Sequence, residues 1–386
     1  MSLLSGMRIV DLTTIVLGPY ATEVLADLGA EVIKVESPSG DMFRKVGAPA
    51  KTDGMGPCHL TLNRGKKSVQ LDLKQPDQMQ DMRRLIESAD VFVTNVRGKP
   101  LQRLGLDYEA VSALNEKIVY VHCVGFGSKG RYRDLPAYDD VIQAVTGTAT
   151  LLPRVDGNPK PRYLPSLIAD KVAGLHAVYA VLAAVVHRLR FGEGQRVEVP
   201  MFESFTHFMM QEHLYGGAFR SRPYPMGYPR QLDPHRQPFP TADGYISIVL
   251  YTDDIAARVI EIIGDATLKG DARFKNREGR TKNSQALYAE MTRLLPARKT
   301  ADWMQLFEAA GVPSMVMRDL DDMMNDPHLE DVGFFQVEEH PSEGACVTMR
   351  PPVSFSAQEH FEPRPAPRLG EHNGELEQLL QRRPTL

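Results

Sequence analysis

Asp170 is the residue whose type and position are best suited to covalent chemistry. It stands in the segment PRYLPSLIADKVAGLH, where Pro165 and Ser166 lead into a long apolar stretch. Aspartate is uncommon beside a buried segment unless it is paired or functional. Near a helix N-terminus the backbone dipoles favour the ionised carboxylate, which is the nucleophilic form. Because charged residues at helix starts often have no chemical role, the local pattern leaves both interpretations open.

A glycine-rich loop offers a second chemistry. The residues Gly125 to Gly130 read GFGSKG, fit the pattern G-x-G-x-x-G and follow a predicted strand, which would indicate a pyrophosphate site at a helix N-terminus. Pro136 follows too soon to lie inside the helix that such a site requires, and no acidic residue stands about twenty positions on to hold a ribose. An NAD-dependent dehydrogenase is therefore the weaker hypothesis.

Histidine and cysteine provide no metal-site pattern. None of the eleven histidines is paired at i, i+4 with a flanking carboxylate, and His176 on an apolar segment is expected to be a core residue. The three cysteines, Cys58, Cys123 and Cys346, are far apart and form no C-x-x-C pair. We therefore expect no metal, and free thiols in a reducing compartment.

The overall composition excludes some partners. A chain of 386 residues with 42% hydrophobic and 24% charged residues is typical of a globular protein of two or three domains. A net charge of -4 gives no basic face for nucleic acid and no polybasic membrane surface. The first residues lack a signal-peptide pattern, and the apolar stretch Val172 to Val186 is short for a bilayer. We expect a cytoplasmic protein with a long buried helix.

The elements that must position these residues alternate between strand and helix. Strands are predicted at Arg8–Leu12, Glu31–Glu36, Val69–Leu73, Val91–Thr94, Ile118–Val124 and Gln195–Val199. Helices are predicted from Gly18 to near Gly29 and at Pro76–Ser88, Tyr108–Leu114, Leu167–Leu189 and Phe202–Leu214. This alternation predicts an α/β fold with a parallel sheet that is covered by helices.

The second half of the chain has a different pattern. The segment from Gly216 to Pro240 is rich in Pro, Gly, Tyr and Arg and is predicted to be a linker. A strand is then expected at Tyr245–Leu250, with helices at Asp253–Ile263, Ser284–Leu295 and Ala301–Ala310. These elements indicate a smaller α+β domain. The proline-rich tail from Pro351 is predicted to be extended.

Seven segments in order carry a resemblance to a known family. They are GPYATEVLADLGAEVIKVESPSGD from Gly18, LNRGKKSVQLDLK from Leu62, ADVFVTNVRGKPLQRLGLDYEAVSALN from Ala89, PAYDDVIQAVTG from Pro136, GQRVEVPMFES from Gly194, AAGVPSMVMRDLDDMMNDPHLE from Ala309 and RPAPRLGEHN from Arg364. With them the chain resembles the family III CoA-transferases, the group that includes formyl-CoA and carnitine CoA-transferases and the α-methylacyl-CoA racemases.

The resemblance implies roles for particular residues. Asp170 matches the catalytic aspartate of the family. The positions that match CoA-contacting segments are Val16, Leu17, Lys74, Asn95, Arg97, Arg103, Leu104, Tyr138 and Asp139. The cations among them suit the phosphates of CoA. No permanently bound cofactor and no metal are implied, since the CoA thioester is a substrate.

The implied reaction is the exchange of CoA between an acyl-CoA and a small carboxylic acid. Asp170 would form a mixed anhydride and then an aspartyl-CoA thioester, which divides one difficult exchange into easier steps. The racemases of the family carry a histidine directly before the aspartate that matches Asp139. Tyr138 stands there instead, and with a pKa near 10 it is a poor base. A transferase is therefore favoured, with a racemase as the alternative.

The resemblance also implies an architecture. A Rossmann-like large domain would comprise residues 1–215 and 331–386. Between these two parts the chain would form a linker at 216–240 and a small α+β domain at 241–330. Two chains would form an interlocked homodimer. Nucleic acid and membranes are not expected partners.

Overall fold

The computed structural model describes residues 2–358, 361–362 and 364–381 of the chain. It divides into two compact units. Of the described residues, those up to 149, those at 163–209 and those from 327 onward form unit 1, and residues 150–162 and 210–326 form unit 2. The segment 216–240, predicted to be a linker, lies within unit 2.

The strands and helices are numbered in chain order. The strands are β1 (Arg8–Leu12), β2 (Glu31–Glu36), β3 (Lys67–Gln70), β4 (Val91–Thr94), β5 (Val119–Val124), β6 (Gln195–Pro200), β7 (Phe239–Pro240), β8 (Tyr245–Ile248), β9 (Ser314–Val316), β10 (Phe335–His340) and β11 (Gly344–Met349). The helices are α1 (Leu17–Asp27), α2 (Pro57–Leu62), α3 (Pro76–Glu87), α4 (Gly98–Leu104), α5 (Tyr108–Leu114), α6 (Asp139–Val145), α7 (Leu151–Asp156), α8 (Ile168–Phe191), α9 (Met201–His213), α10 (Asp253–Ile263), α11 (Ala266–Gly270), α12 (Arg277–Lys282), α13 (Ser284–Leu294), α14 (Thr300–Ala309), α15 (Pro327–Asp331) and α16 (Leu376–Gln381).

Unit 1 is built on a six-stranded sheet in the order β3-β2-β1-β4-β5-β6. Every neighbouring pair in this sheet is parallel. This is the strand order of doubly wound dinucleotide-binding folds, and it confirms the predicted α/β class. The chain reverses its direction of winding between β1 and β4. In sheets of this kind ligands bind outside the carboxyl ends of the strands at that point.

The two faces of the sheet have separate cores. On one face Val10, Ile33, Phe92 and Tyr120 pack with the helices α3, α5 and α16. Alternate residues of the same strands, such as Ile9, Val91 and Val119, are also fully buried. Strands that are buried on both faces are expected in a parallel sheet, because the crossover helices cover both sides.

Helix α8 is the long apolar helix that the sequence predicts, and it has two different sides. Within the described residues, it is the one helix long and apolar enough to cross a membrane by length and composition, and half of its apolar window is buried in the protein. The buried side packs on α1 and on the sheet. The other side is exposed at Leu175, Tyr179, Val186, Leu189 and Phe191. The prediction that α8 is buried on all sides was therefore wrong for a single chain.

Unit 2 is a small α+β unit, as the sequence predicts for this part of the chain. Its strands form an antiparallel sheet in the order β7-β8-β9. The core around this sheet includes Phe274, Trp303 and Phe307, and the indole N–H of Trp303 donates to the carbonyl oxygen of Leu295 at 2.7 Å. This satisfied polar group lets the large indole lie fully inside the core.

Candidate active site

A cavity of about 450 Å³ lies in unit 1 where the winding of the sheet reverses. Three strand ends contribute to its wall, together with the start of α8. The lining includes Thr14, Ile15 and Leu17 after β1, Asn95 to Gly98 after β4, Cys123 to Gly125 at the end of β5, and Asp170. The position agrees with the general rule for ligand sites in doubly wound sheets.

Asp170 lies in the first turn of α8, and its side chain lines the cavity although the residue is only 7% exposed. The backbone N–H of Leu17, at the start of α1, interacts with this carboxylate and favours its ionised form. Gly174, one turn further along α8, allows the two helices to approach each other. A Cβ atom there would lie 3.0 Å from the carbonyl oxygen of Leu17 and 3.0 Å from the ring of Tyr20. The glycine therefore helps to bring the Leu17 amide to Asp170.

Asp139 holds the start of α8. Its Oδ2 atom accepts hydrogen bonds from the backbone N–H groups of Ala169 at 2.7 Å and Asp170 at 3.1 Å, and its Oδ1 accepts from Gln143 at 2.6 Å. These amides are among those that a helix N-terminus leaves without partners. The resemblance assigns Asp139 to contact with CoA, and that role stays a prediction. The contacts made here orient the helix that carries Asp170.

The pKa of Asp170 is raised to about 7, first by burial and then by the nearby charge of Asp139, while the hydrogen bond from Leu17 acts in the opposite direction. The sequence argument, in which helix dipoles favour the ionised form, was wrong about the net direction. The reason is that Asp139 takes up the first free amides of α8, and burial penalises the charged carboxylate. Near neutral pH both forms of Asp170 are populated, and a carboxyl poised in this way is typical of functional sites.

Four cations surround the outer end of the cavity. Arg97, Lys99, Arg103 and Arg133 line a second cavity of about 200 Å³, and Arg97 and Arg133 also line the first. One carboxylate, that of Asp134, also lines this second cavity. It forms long ion pairs with Lys99 at 3.9 Å and with Arg133 at 3.8 Å, and all three side chains are exposed. The excess of positive charge makes this end suited to an anionic group such as a phosphate.

The structure brings most of the predicted site residues to this region, in different ways. Leu17, Arg97 and Tyr138 line the main cavity, and Tyr138 is exposed. Asn95 also lines it, but its side-chain amide is bonded to the backbone of Thr14, which donates at 3.0 Å and accepts at 2.8 Å. Four predicted residues line neither cavity: Asp139 binds the start of α8, Val16 is buried, Leu104 packs against the core, and Lys74 is an exposed cation.

Sequence reasoning missed several residues of the site. Ile15, Lys99 and Arg133 line the cavities but were not among the predicted contacts. Arg133 stands in the segment GRYRDLP after the glycine-rich loop, and its basic composition could have indicated a phosphate contact. Lys99 lies in the first turn of the short helix α4, which was not predicted.

The glycine-rich loop is not free to bind a dinucleotide. The backbone N–H of Gly127 donates to the carboxylate of Glu203 at 3.0 Å, and that of Ser128 donates to Glu198 at 2.9 Å. The chain forms turns from this loop to Tyr138, and the next helix, α6, begins only at Asp139. Two amides of the loop are therefore already bound to carboxylates, and no helix begins at the loop to bind a pyrophosphate, so the geometry does not support the NAD hypothesis.

The other potential nucleophile in the cavity is a cysteine. Burial raises the pKa of the Cys123 thiol to about 12, so it stays protonated and weakly nucleophilic near neutral pH. Within the described residues, no group of three or more His, Cys, Asp or Glu side chains is arranged to hold a metal ion. Asp170 is therefore the best-placed nucleophile.

Comparison with known proteins places the chain in a family. The sequence profile of CoA-transferase family III matches residues 4–373. A succinate–glutarate CoA-transferase of Agrobacterium fabrum is 30% identical, with 97% of this chain and 94% of that protein covered. The human succinyl-CoA:glutarate CoA-transferase is 30% identical, with 96% of this chain and 84% of that protein covered.

Solved structures give the same result for the fold. A hypothetical protein of Mycobacterium tuberculosis is similar with a TM-score of 0.84 and 30% identity, and 97% of this chain and 99% of that chain are covered. A CAIB/BAIF family protein of Brucella suis is similar with a TM-score of 0.84 and 29% identity, and 98% of this chain and 100% of that chain are covered.

Proposed function

This chain belongs to CoA-transferase family III, and on that premise we propose that it moves CoA from an acyl-CoA thioester to a free carboxylic acid through a covalent intermediate on Asp170. The observation that carries the proposal is the buried Asp170 carboxyl in the wall of a cavity whose outer end is lined by cations. A nucleophile at one end and a phosphate-binding surface at the other suit a CoA thioester.

The first half of the reaction loads CoA onto the enzyme. A carboxylate oxygen of Asp170 attacks the thioester carbonyl carbon, the C–S bond breaks, and CoA leaves as a thiolate. The product is a mixed anhydride of the donor acid and Asp170. The thiolate then attacks the aspartyl carbonyl carbon, the donor acid leaves as a carboxylate, and an aspartyl-CoA thioester remains.

The second half reverses the order with a different acid. The acceptor carboxylate attacks the aspartyl carbonyl carbon and expels the CoA thiolate, which gives a new mixed anhydride. The thiolate attacks the acceptor carbonyl carbon, the new acyl-CoA forms, and Asp170 returns as a carboxylate. The N–H of Leu17 already faces this carboxylate, so it is placed to stabilise negative charge on an aspartyl oxygen in these steps.

The cations at the outer end of the cavity hold the cofactor-like part of the substrate. Arg97 and Arg133 line both cavities, and Arg103 lines the outer one. Guanidinium groups bind phosphates through paired hydrogen bonds. The exposure of these side chains means that each contributes modestly and that high salt weakens binding.

The relatives indicate which acids should be tested. Two of them are named for succinate or succinyl-CoA together with glutarate, and an acetyl-CoA:oxalate CoA-transferase of Acetobacter aceti is 28% identical over 96% of this chain. Small mono- and dicarboxylic acids are therefore the proposed substrate class. The names of these relatives give no support to the racemase alternative. We also keep an interlocked homodimer and a cytoplasmic location as proposals.

Intact-protein mass spectrometry tests the proposal. The wild-type chain is mixed with succinyl-CoA, glutaryl-CoA, acetyl-CoA and longer acyl-CoAs, beside Asp170→Ala and the matched control Asp140→Ala, whose carboxyl is exposed. We expect the wild type and the control to gain the mass of CoA less one water, as a thioester mapped to residue 170, and Asp170→Ala to show no such gain. An adduct that persists on Asp170→Ala would contradict the assigned nucleophile. Exchange of the α-proton in deuterated water without any adduct would favour racemase chemistry.

A further inference from the structure

The loop between β1 and α1 has an unusual backbone conformation at Ile15. This residue has φ of 74°, in the left-handed region that a β-branched side chain rarely adopts. Ile15 lines the main cavity, two residues before Leu17, whose N–H faces Asp170. Conformations of this kind are strained and persist only where surrounding groups hold them.

The carboxylate of Asp41 binds the backbone amide of Ile15. The residue is 2% exposed, and both of its carboxylate oxygens lie 3.1 Å from the backbone nitrogen of Ile15, which donates to them. Its Oδ2 atom also accepts from Lys34 Nζ at 3.2 Å, and its Oδ1 accepts from the backbone N–H of Phe43 at 3.0 Å. A buried, charge-assisted acceptor of this kind holds an amide in one orientation.

The neighbouring peptide groups of the loop are held as well. Lys34 Nζ donates to the carbonyl oxygen of Thr13 at 2.8 Å, and Asn95 pairs with both the N–H and the carbonyl oxygen of Thr14. Three successive residues are therefore fixed by side chains from elsewhere in unit 1. The contact between Asp41 and Ile15 is the last of these before the chain enters α1.

We propose that Asp41 is a positioning residue for the chemistry at Asp170. Its carboxylate holds Ile15 in the left-handed conformation, and this conformation directs the following backbone so that the Leu17 N–H points at the Asp170 carboxylate. If Ile15 relaxes to an ordinary conformation, the peptide between Val16 and Leu17 turns and Asp170 loses its donor. The inference rests on the proposed function, since it assigns Asp41 to the step in which Asp170 reacts.

A double-mutant cycle separates this role from a purely structural one. The rate constant for CoA-adduct formation on Asp170 is measured in single turnovers, and the loss caused by Asp41→Ala is determined in the wild-type chain and again in an Ile15→Gly chain. Glycine adopts positive φ readily, so it needs no carboxylate to hold it. We expect a loss of about ten-fold in the wild-type chain, since one amide donor is misdirected, and of at most about three-fold in the Ile15→Gly chain.

Two further measurements complete the test. The dissociation constant for acyl-CoA is expected to change by less than about two-fold with Asp41→Ala, because the cations that bind phosphate are untouched. Asp41→Asn keeps one acceptor for the Ile15 amide and is expected to lose less than Asp41→Ala. If Asp41→Ala does not fold, the same cycle is run with Asp41→Asn, whose smaller loss should again shrink in the Ile15→Gly chain.

Equal losses of rate in the two chains would overturn the inference. Asp41→Ala removes the contacts of Asp41 with Lys34 and Phe43 in both chains, so equal losses would come from those contacts and not from Ile15. An unchanged rate in Asp41→Ala would overturn it too. These outcomes differ from failure of the proposed function, in which the wild-type chain itself forms no adduct on Asp170.

Discussion

At the scale of single residues, the site depends on the competition between burial and hydrogen bonding at Asp170. Burial and the charge of Asp139 raise the pKa of Asp170 to about 7, and the Leu17 N–H limits that rise. A carboxyl with a pKa near 7 can be a nucleophile near neutral pH, and it can accept a proton when the active site is empty. The same neighbours that perturb the carboxyl also hold it in place, because Asp139 binds the first amides of α8.

The rate of adduct formation should therefore depend on pH. The carboxylate is the reactive form, so kcat/KM for the acyl-CoA is expected to rise with pH and level off above a midpoint near 7, the pKa of Asp170 in the free enzyme. Asp139→Asn removes the negative charge but keeps an oxygen that can accept from Ala169. The midpoint should then move to lower pH, because the charge that raises the pKa of Asp170 is gone. A midpoint that stays in place in Asp139→Asn would show that Asp139 does not act on Asp170 through its charge.

The cations can be distinguished by their contribution to binding. We expect Arg97→Ala and Arg133→Ala each to raise KM for acyl-CoA about three- to five-fold, at most about 1 kcal/mol because both side chains are exposed, with a smaller effect on kcat. Lys74→Ala is the informative comparison, because Lys74 lines neither cavity although the family resemblance assigns it to CoA. Steady-state kinetics at low salt, where exposed charges act most strongly, gives the measurement. A larger effect from Lys74 than from Arg133 would contradict the arrangement described here.

At the scale of elements, the crossing of α1 and α8 decides whether the site forms. The N-terminus of α1 supplies the Leu17 amide, and the first turn of α8 supplies Asp170. The two helices meet at Gly174, where there is no room for a side chain without movement of α1. At the other end of α8, Arg188 pairs with Asp90 at 2.6 Å, where the chain enters β4. The helix is thus fixed at both ends, and small changes in its distance from α1 act directly on Asp170.

Gly174→Ala tests this geometry. The new Cβ atom would lie 3.0 Å from the Leu17 carbonyl oxygen and from the Tyr20 ring, so α1 must move away from α8. Alanine favours a helix by about 1 kcal/mol over glycine, so the fold should survive while adduct formation slows by at least about ten-fold. Gly270→Ala is the matched control, since no atom lies within 4 Å of a Cβ there. Equal rates in the two variants would show that the helix crossing does not set the reactivity of Asp170.

At the scale of the whole molecule, the exposed side of α8 is the main feature that one chain leaves unexplained. Leu175, Tyr179, Val186 and Leu189 lie on it, and each is more than half exposed. A continuous apolar stripe of this size on a helix usually meets another surface. The proposed homodimer would cover it and would account for a helix whose composition suggests burial on all sides.

Sedimentation equilibrium tests the dimer. We expect the wild-type chain to sediment with twice the mass of one chain, and Leu189→Glu to shift the equilibrium towards the monomer because it places a charge on the apolar stripe. Leu320→Glu is the control, since Leu320 is an 86% exposed residue of unit 2 that does not lie on α8. A wild-type chain that sediments as a monomer at micromolar concentration would contradict the dimer.

Much of unit 1 could be predicted because its strands carry the strongest local signals. β1, β2, β4 and α5 begin and end where the pattern of apolar residues placed them. β3 was placed two residues too late, since it begins with Lys67 and Ser68, and Ser68 is buried against Glu36 at 2.9 Å. Polar residues in a core strand are invisible to a rule based on hydrophobicity when their partners lie on distant segments. The hairpin of β10 and β11 was missed for a similar reason, because most of its residues are partly or fully exposed.

The sequence alone determined the α/β class, the candidate nucleophile Asp170 and the family resemblance, because these depend on periodicity and on residues that are close together in the chain. Only the tertiary structure decided the state of the site. It brought the Leu17 amide, Asp139 and Asp170 together from three segments, raised the pKa of Asp170 instead of lowering it, and bound the glycine-rich loop to Glu198 and Glu203. Burial and long-range contacts set these properties, and neither can be read from the spacing of residues along the chain.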